Sequence, residues 1–153
     1  MRALENRIPP PVVAVIVAAG MWALARWWPL VKFEVPWPAL ISLLVASLGG
    51  VISGAGAREF KRAKTTVNPL HPERATSVVT TGIYRFTRNP MYVGAVFVLL
   101  GCFVAFGAVS SALGLPVFIA YITRYQIRPE EQVLLAKFGS EYAAYAAQVR
   151  RWL

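Results

Sequence analysis

Two short stretches hold the residues that could do chemistry. The first runs from Gly82 to Gly94 and gathers Tyr84, Arg85, Arg88, Asn89, Pro90, Met91 and Tyr92 into one turn-prone segment. Pro90 suits the first turn of a helix and Asn89 suits its cap. A helix starting there presents free backbone N–H groups to an anion, with Arg85 and Arg88 beside them. The plain alternative is an interfacial helix start whose arginines and tyrosines reach out to lipid headgroups. The second stretch is the adjacent pair Glu130 and Glu131, directly after Pro129. Acids in a first helical turn are ordinary helix-start chemistry, contributing about 0.3–1 kcal/mol each. In a chain with 7 acids against 16 Lys and Arg, the same pair could bind a cation or the hydroxyls of a ribose.

Several other chemistries are excluded. The chain has no Asp, so no Ser-His-Asp set can form, and it has no nucleophile elbow, P-loop or His-Glu-x-x-His helix. His71 has no second His or Cys near it, so no metal site is expected. Cys102 is the single cysteine and lies in an apolar run, where it reads as a small packed side chain. Gly54, Ala55 and Gly56 begin like a dinucleotide fingerprint, but no strand precedes them and Glu59 stands where the third glycine belongs. What remains is chemistry in which the protein mostly positions reagents.

The elements that must do this positioning are apolar helices. Hydrophobic residues make up 57% of the 153-residue chain and charged residues 15%, which places a single domain, 1–153, in a bilayer. The strong basic surplus then points to anionic lipid rather than nucleic acid. Four spans are expected, at about 11–28, 37–57, 91–107 and 109–125, the last two as a tight helical hairpin. The first reads as a retained helix rather than a signal peptide. It closes on Trp22, Trp27 and Trp28, which suit the interfacial belt. In the second, Ala46, Gly50 and Gly54 form a small-residue stripe that would admit another helix closely. Gly114 and Pro116 are expected to bend or shorten the fourth.

The loop 58–90 carries Arg58, Lys61, Arg62, Lys64, Arg74, Arg85 and Arg88, broken by Asn68-Pro69 and His71-Pro72. That density of positive charge marks it as cytoplasmic, and four spans return the tail to the same side, so both termini are expected in the cytoplasm. The tail, 129–153, reads as one amphipathic helix interrupted at Gly139, with Ser140 capping the next turn. Its face is made by Leu134, Phe138, Tyr142, Tyr145, Val149 and Trp152. The expected fold is therefore an all-α polytopic membrane bundle with a cytoplasmic loop and an amphipathic carboxy-terminal helix.

With both stretches in view, the chain resembles the isoprenylcysteine carboxyl methyltransferase family and the related phospholipid methyltransferases. The resemblance rests on Gly82, Tyr84, Arg88, Pro90, Tyr92 and Gly94. It continues in Glu130-Glu131, Phe138-Gly139, Tyr142, Tyr145 and Arg150-Arg151, and so covers about residues 58–153. It implies an integral membrane enzyme, in a prokaryotic plasma membrane, that moves a methyl group from S-adenosylmethionine to a lipid-like acceptor and releases S-adenosylhomocysteine. On matching positions, Tyr84, Arg88, Asn89, Pro90, Met91, Tyr92, Gly94 and Tyr142 would hold the cofactor, with Glu130 and Glu131 on its ribose or amino group or helping to place the acceptor. Glu130 would also take a proton from an amine acceptor, and Arg150 or Arg151 would orient an anionic acceptor or headgroup. Isoprenylcysteine enzymes commonly carry His where this chain has Asn89, so the resemblance bears on the cofactor more than on the acceptor. No protein partner is implied. A membrane reductase using NADPH and a non-enzymatic lipid-binding protein are the other classes that the residues allow.

Overall fold

The computed structural model describes residues 8–65 and 74–153. His71 and the expected Asn68-Pro69 and His71-Pro72 breaks lie outside the described residues. The described chain is all-helical: α1 (Pro10–Trp27), α2 (Pro38–Arg62), α3 (Pro90–Phe106), α4 (Gly114–Ile122), α5 (Arg128–Phe138) and α6 (Ser140–Gln148). No β-strand occurs among the described residues. One isolated antiparallel bridge joins Lys32 to Ala108.

That bridge ties the α1–α2 connector to the α3–α4 connector, supported by Phe33 N–H donating to Gly107 O and Val109 N–H to Val31 O, each at 2.9 Å. Both connectors therefore lie at one end of the bundle. The end of α2, the start of α3 and the start of α5 gather at the other. The core between α1, α3 and α4 is made by Val13, Met21, Tyr92, Leu99, Phe118, Ile122 and Ile127. Outward-facing positions are apolar as well: Val15, Ile16, Leu43 and Val51 are each at least 60% exposed, as expected of helices solvated by lipid.

Two helices, α1 and α2, are long and apolar enough to cross a membrane. α3 is apolar but has 17 residues, about 26 Å at 1.5 Å per residue. The fourth expected span is not one regular helix. A 3-10 turn, Val109–Leu113, leads into α4, and a π-turn, Thr123–Ile127, runs on into α5. The tail is interrupted at Gly139, as expected. α5 continues from the π-turn, Gly139 (φ +52°) separates it from α6, and the helix ends at Val149, whose backbone is extended. Gly139 rather than Ser140 occupies the cap position of α6, with no side-chain cap bond.

α2 and α3 approach most closely, but not through the glycines that the sequence singled out. Gly50 and Gly54 face open space. The contact runs through Ala46, Gly49, Ser53 and Gly56 of α2 against Pro90, Gly94 and Gly101 of α3. These α2 positions alternate steps of three and four, the period of a helix seam, whereas Gly50 and Gly54 sit one position further round. A Cβ on Gly94 would collide with Ser53 Oγ and with the Gly49 carbonyl, both fixed by the neighbouring helix. Gly94→Ala is accordingly expected to destabilise the fold by about 1–3 kcal/mol through overpacking, read as a lowered thermal midpoint in detergent.

Candidate functional site

The end of α2 sets the first wall of the site. Glu59, 8% exposed, accepts a 2.6 Å hydrogen bond from Thr81 Oγ1 and a 2.9 Å one from Arg62. Gly82, at φ +58°, lies against the Glu59 carboxyl so closely that a Cβ would meet its Cδ at 2.7 Å. The 3-10 turn Gly82–Arg85 is thereby docked on α2, and Tyr84 stacks edge-on against Phe60 at 5.4 Å. Tyr145 of α6 closes the other side by donating its hydroxyl to the Tyr84 carbonyl at 2.8 Å. Val79, Tyr84, Tyr142 and Tyr145 form a second, smaller apolar cluster.

Between these walls lies a cleft enclosing about 110 Å³. It brings together Tyr84, Arg88, Asn89, Met91, Tyr92, Glu130, Glu131 and Tyr142, all named from the sequence. Phe60, Ser77, Leu134 and Tyr145 also line it. Pro90 and Gly94 do not reach the cleft: both pack on α2, Pro90 against Gly56. Arg150 is exposed and contributes only its carbonyl, which accepts from Arg88 N–H at 2.9 Å.

Glu130 and Glu131 are adjacent but serve different environments. Glu130 Oε1 accepts from Tyr92 Oη at 2.7 Å and from Gln126 Nε2 at 2.9 Å. Both donors converge on one oxygen, which leaves Oε2 to meet a bound molecule. Burial pushes the Glu130 carboxyl up to about 7; the bonds from Gln126 and Tyr92 oppose that rise and the Glu131 charge adds to it. Gln126 reaches Glu130 from the π-turn, the irregular segment where α4 passes into α5, and such insertions recur at functional sites. Burial likewise raises the hydroxyls of Tyr84, Tyr142 and Tyr145, so all three remain protonated donors at neutral pH.

Glu131 is held by arginines. Arg151 grips it in a bidentate pair, Nε to Oε1 at 2.9 Å and Nη2 to Oε2 at 2.8 Å. Arg88 Nη1 stands 3.2 Å from Oε1. The extended carboxy-terminal segment is fixed across the start of α3 by further bonds. Asn89 Nδ2 donates to the Arg151 carbonyl at 2.9 Å, Thr87 Oγ1 donates to the same carbonyl at 3.3 Å, and Trp152 Nε1 donates to Thr123 Oγ1 at 3.2 Å. Asn89 thus holds the cap position of α3 without capping it; its side chain is spent on the tail. Of the side chains gathered here, Arg151 was named from the sequence only as an alternative to Arg150, and Ser77 and Gln126 were not named. Among the described residues, no group of three or more His, Cys, Asp or Glu could hold a metal ion.

Comparison with known proteins adds a family to this geometry. The sequence model of the phospholipid methyltransferase family matches residues 37–141, more than half of the chain. The chain is 41% identical over 63 residues to an uncharacterized protein of Haemophilus influenzae, covering 41% of this chain and 100% of that one. It is 28% identical over 113 residues to Protein-S-isoprenylcysteine O-methyltransferase A of Arabidopsis thaliana, covering 74% of this chain and 57% of the plant protein. No solved structure matches significantly.

Proposed function

The chain belongs to the phospholipid methyltransferase family, and from that premise we propose that it is a membrane enzyme transferring a methyl group from S-adenosylmethionine to an amine of a lipid-like acceptor. The observation that carries the choice of amine is Glu130, a cleft carboxyl poised near neutrality with one oxygen anchored by Tyr92 and Gln126 and the other free. An ammonium acceptor must lose a proton before its nitrogen can attack, and a base is most effective when its pKa lies near the working pH. A carboxylate acceptor, already ionised at neutral pH, would not need it.

The residues present suit the donor. Aromatic rings of Phe60, Tyr84, Tyr142 and Tyr145 offer faces for an adenine or a sulfonium, the latter a cation–π contact of about 0.5–2 kcal/mol. Arg88 Nε and Ser77 Oγ are buried there without a hydrogen-bond partner, so the cleft holds unanswered donors. Its enclosed volume is below the roughly 300 Å³ of a typical whole-ligand pocket, so the reactive end would sit inside and the remainder at the mouth. When bound, S-adenosylmethionine supplies a methyl carbon on a positively charged sulfur. Glu130 Oε2 would take the proton that the acceptor ammonium must lose, leaving its nitrogen free to receive that methyl. Tyr92 and Gln126 hold that carboxyl in place, and the aromatic walls exclude water. Such alignment can supply about 7–11 kcal/mol of the barrier reduction.

We place the site on the cytoplasmic side, with α3 and the α4 segment completing four passes. The basic residues clustered at that end of the bundle support this orientation. Calorimetry on the detergent-purified protein tests the reading: S-adenosylhomocysteine is expected to bind and NADPH not to. Binding of NADPH alone would turn the assignment toward a reductase, and binding of neither toward a lipid-binding protein.

A further inference from the structure

The charges around Glu131 do not balance within the cleft. Two guanidinium groups meet one carboxylate, and they do so unequally. Arg151 takes both oxygens and is not part of the cleft lining; its side chain is 35% exposed. Arg88 meets Glu131 at one 3.2 Å contact, lies beside the Tyr142 hydroxyl, is 13% exposed, and lines the cleft with its Nε buried and unpartnered. The bidentate pair answers the Glu131 charge from behind, so the charge of Arg88 is left facing inward. A buried donor on a charged group costs free energy until a ligand meets it. Among the described residues facing this space, Glu130 is the other acid, and the tyrosines are neutral donors.

We propose that Arg88, with Glu131 neutralised from behind by Arg151, forms a receptor for an anionic group of the bound molecule, a carboxylate or a phosphate. Ser77 Oγ, the other unpartnered buried donor of the cleft, offers a hydroxyl to the same molecule. Glu131 is then a positioning residue that aims two arginines, rather than a contact to a ribose. Two sources carry this chemistry: the amino-acid carboxylate of an adenosyl donor and the phosphate of a phospholipid acceptor. For the first source the inference rests on the methyl-transfer reading.

The discriminating variant is Arg151→Gln, which lies off the cleft and removes only the neutralising partner. Freed from Arg151, Glu131 pairs fully with Arg88, and the inward charge is cancelled. Affinities are measured for two pairs of probes, each differing by the anion: S-adenosylhomocysteine against its decarboxylated analogue, 5′-(3-aminopropyl)thioadenosine, and lysophosphatidic acid against the monoacylglycerol of equal chain length. The anionic member of one pair is expected to lose about tenfold in affinity while its partner is unchanged, the size of one lost charged hydrogen bond. The pair affected names the source. Arg88→Lys, which keeps the charge and removes the Nε donor, is expected to show the same selectivity and serves if Arg151→Gln does not fold. Equal losses within both pairs, or no loss in either, would overturn the receptor. Failure of the wild-type protein to bind either adenosyl compound would end the donor assignment instead, leaving the phospholipid pair to decide the receptor; binding of none of the four probes overturns both.

Discussion

Glu130→Gln is expected to lower kcat by about 10²–10⁴-fold, the range of a lost general base, while S-adenosylhomocysteine still binds. The amide keeps the shape of the side chain and can still accept from Tyr92 and Gln126 at one atom, so the donor end of the cleft is undisturbed. The wild-type profile of kcat/KM should rise through pH about 7, where the Glu130 carboxyl loses its proton, and that step should be missing from the variant. Stability is expected to move in the opposite direction. The folded value lies above the ordinary 4.5, so between about 4.5 and 7 the folded protein binds more protons than the unfolded chain and its stability falls as pH rises. The Gln variant lacks this slope. Its thermal midpoint should exceed that of the wild type at pH 8 and approach it below pH 5. A variant as active as the wild type on an amine acceptor, with the same pH step, would remove Glu130 from the chemistry. The carboxyl would then be a structural acceptor for Tyr92 and Gln126, and the choice of amine would fall with it.

The pairing of the two polar stretches was legible because each borders an apolar run, and successive antiparallel helices return the chain to the same end. Gly82–Gly94 and Glu130-Glu131 therefore had to meet once the helices reversed between them. What was not legible depended on which face of an element a residue occupies. Gly94 lies four positions after Pro90, and both turn toward α2, whereas Tyr92 turns to the cleft and Met91 touches both the cleft and Gly56 of α2. Membership of one motif says nothing about that division. Arg150 and Arg151 are neighbours just past the end of α6, yet Arg150 is exposed while Arg151 reaches Glu131. Only a register against Glu131 selects Arg151, and that register is fixed by carbonyl bonds to Arg88, Thr87 and Asn89 that no spacing announces. The close seam of α2 was missed for a related reason. Its contact stripe includes Ala46 and Ser53 beside the glycines, so a search for glycines alone locked onto Gly50 and Gly54, one position off. Gln126 depends on the π-turn, whose extra residue shifts the helix phase just ahead of Glu130. A regular helix drawn through 109–125 cannot show it.

Glu131→Ala separates a stabilising role from a ligand contact. Removal of the carboxylate leaves Arg88, 13% exposed, and Arg151, 35% exposed, with no acid between them. Breaking one partner of a fully buried pair costs about 3–5 kcal/mol, whereas exposed pairs contribute about 0–1 kcal/mol. This pair lies between those limits, and a loss of about 2–3 kcal/mol is expected, read from thermal or denaturant unfolding in a fixed detergent. Part of that cost is repulsion between the two guanidinium groups. The double variant Glu131→Ala with Arg151→Ala should therefore be less destabilised than the sum of the two single changes. The carboxy-terminal segment should stay docked in part, since Asn89 Nδ2 and Arg88 N–H still donate to its carbonyls. In the folded fraction, affinity for 5′-methylthioadenosine should be unchanged, because both Glu131 oxygens are already engaged by Arg151. A variant as stable as the wild type that loses methylthioadenosine would reverse the assignment. Glu131 would then hold the nucleoside itself, and the arginine pair would be a resting arrangement that the ligand displaces.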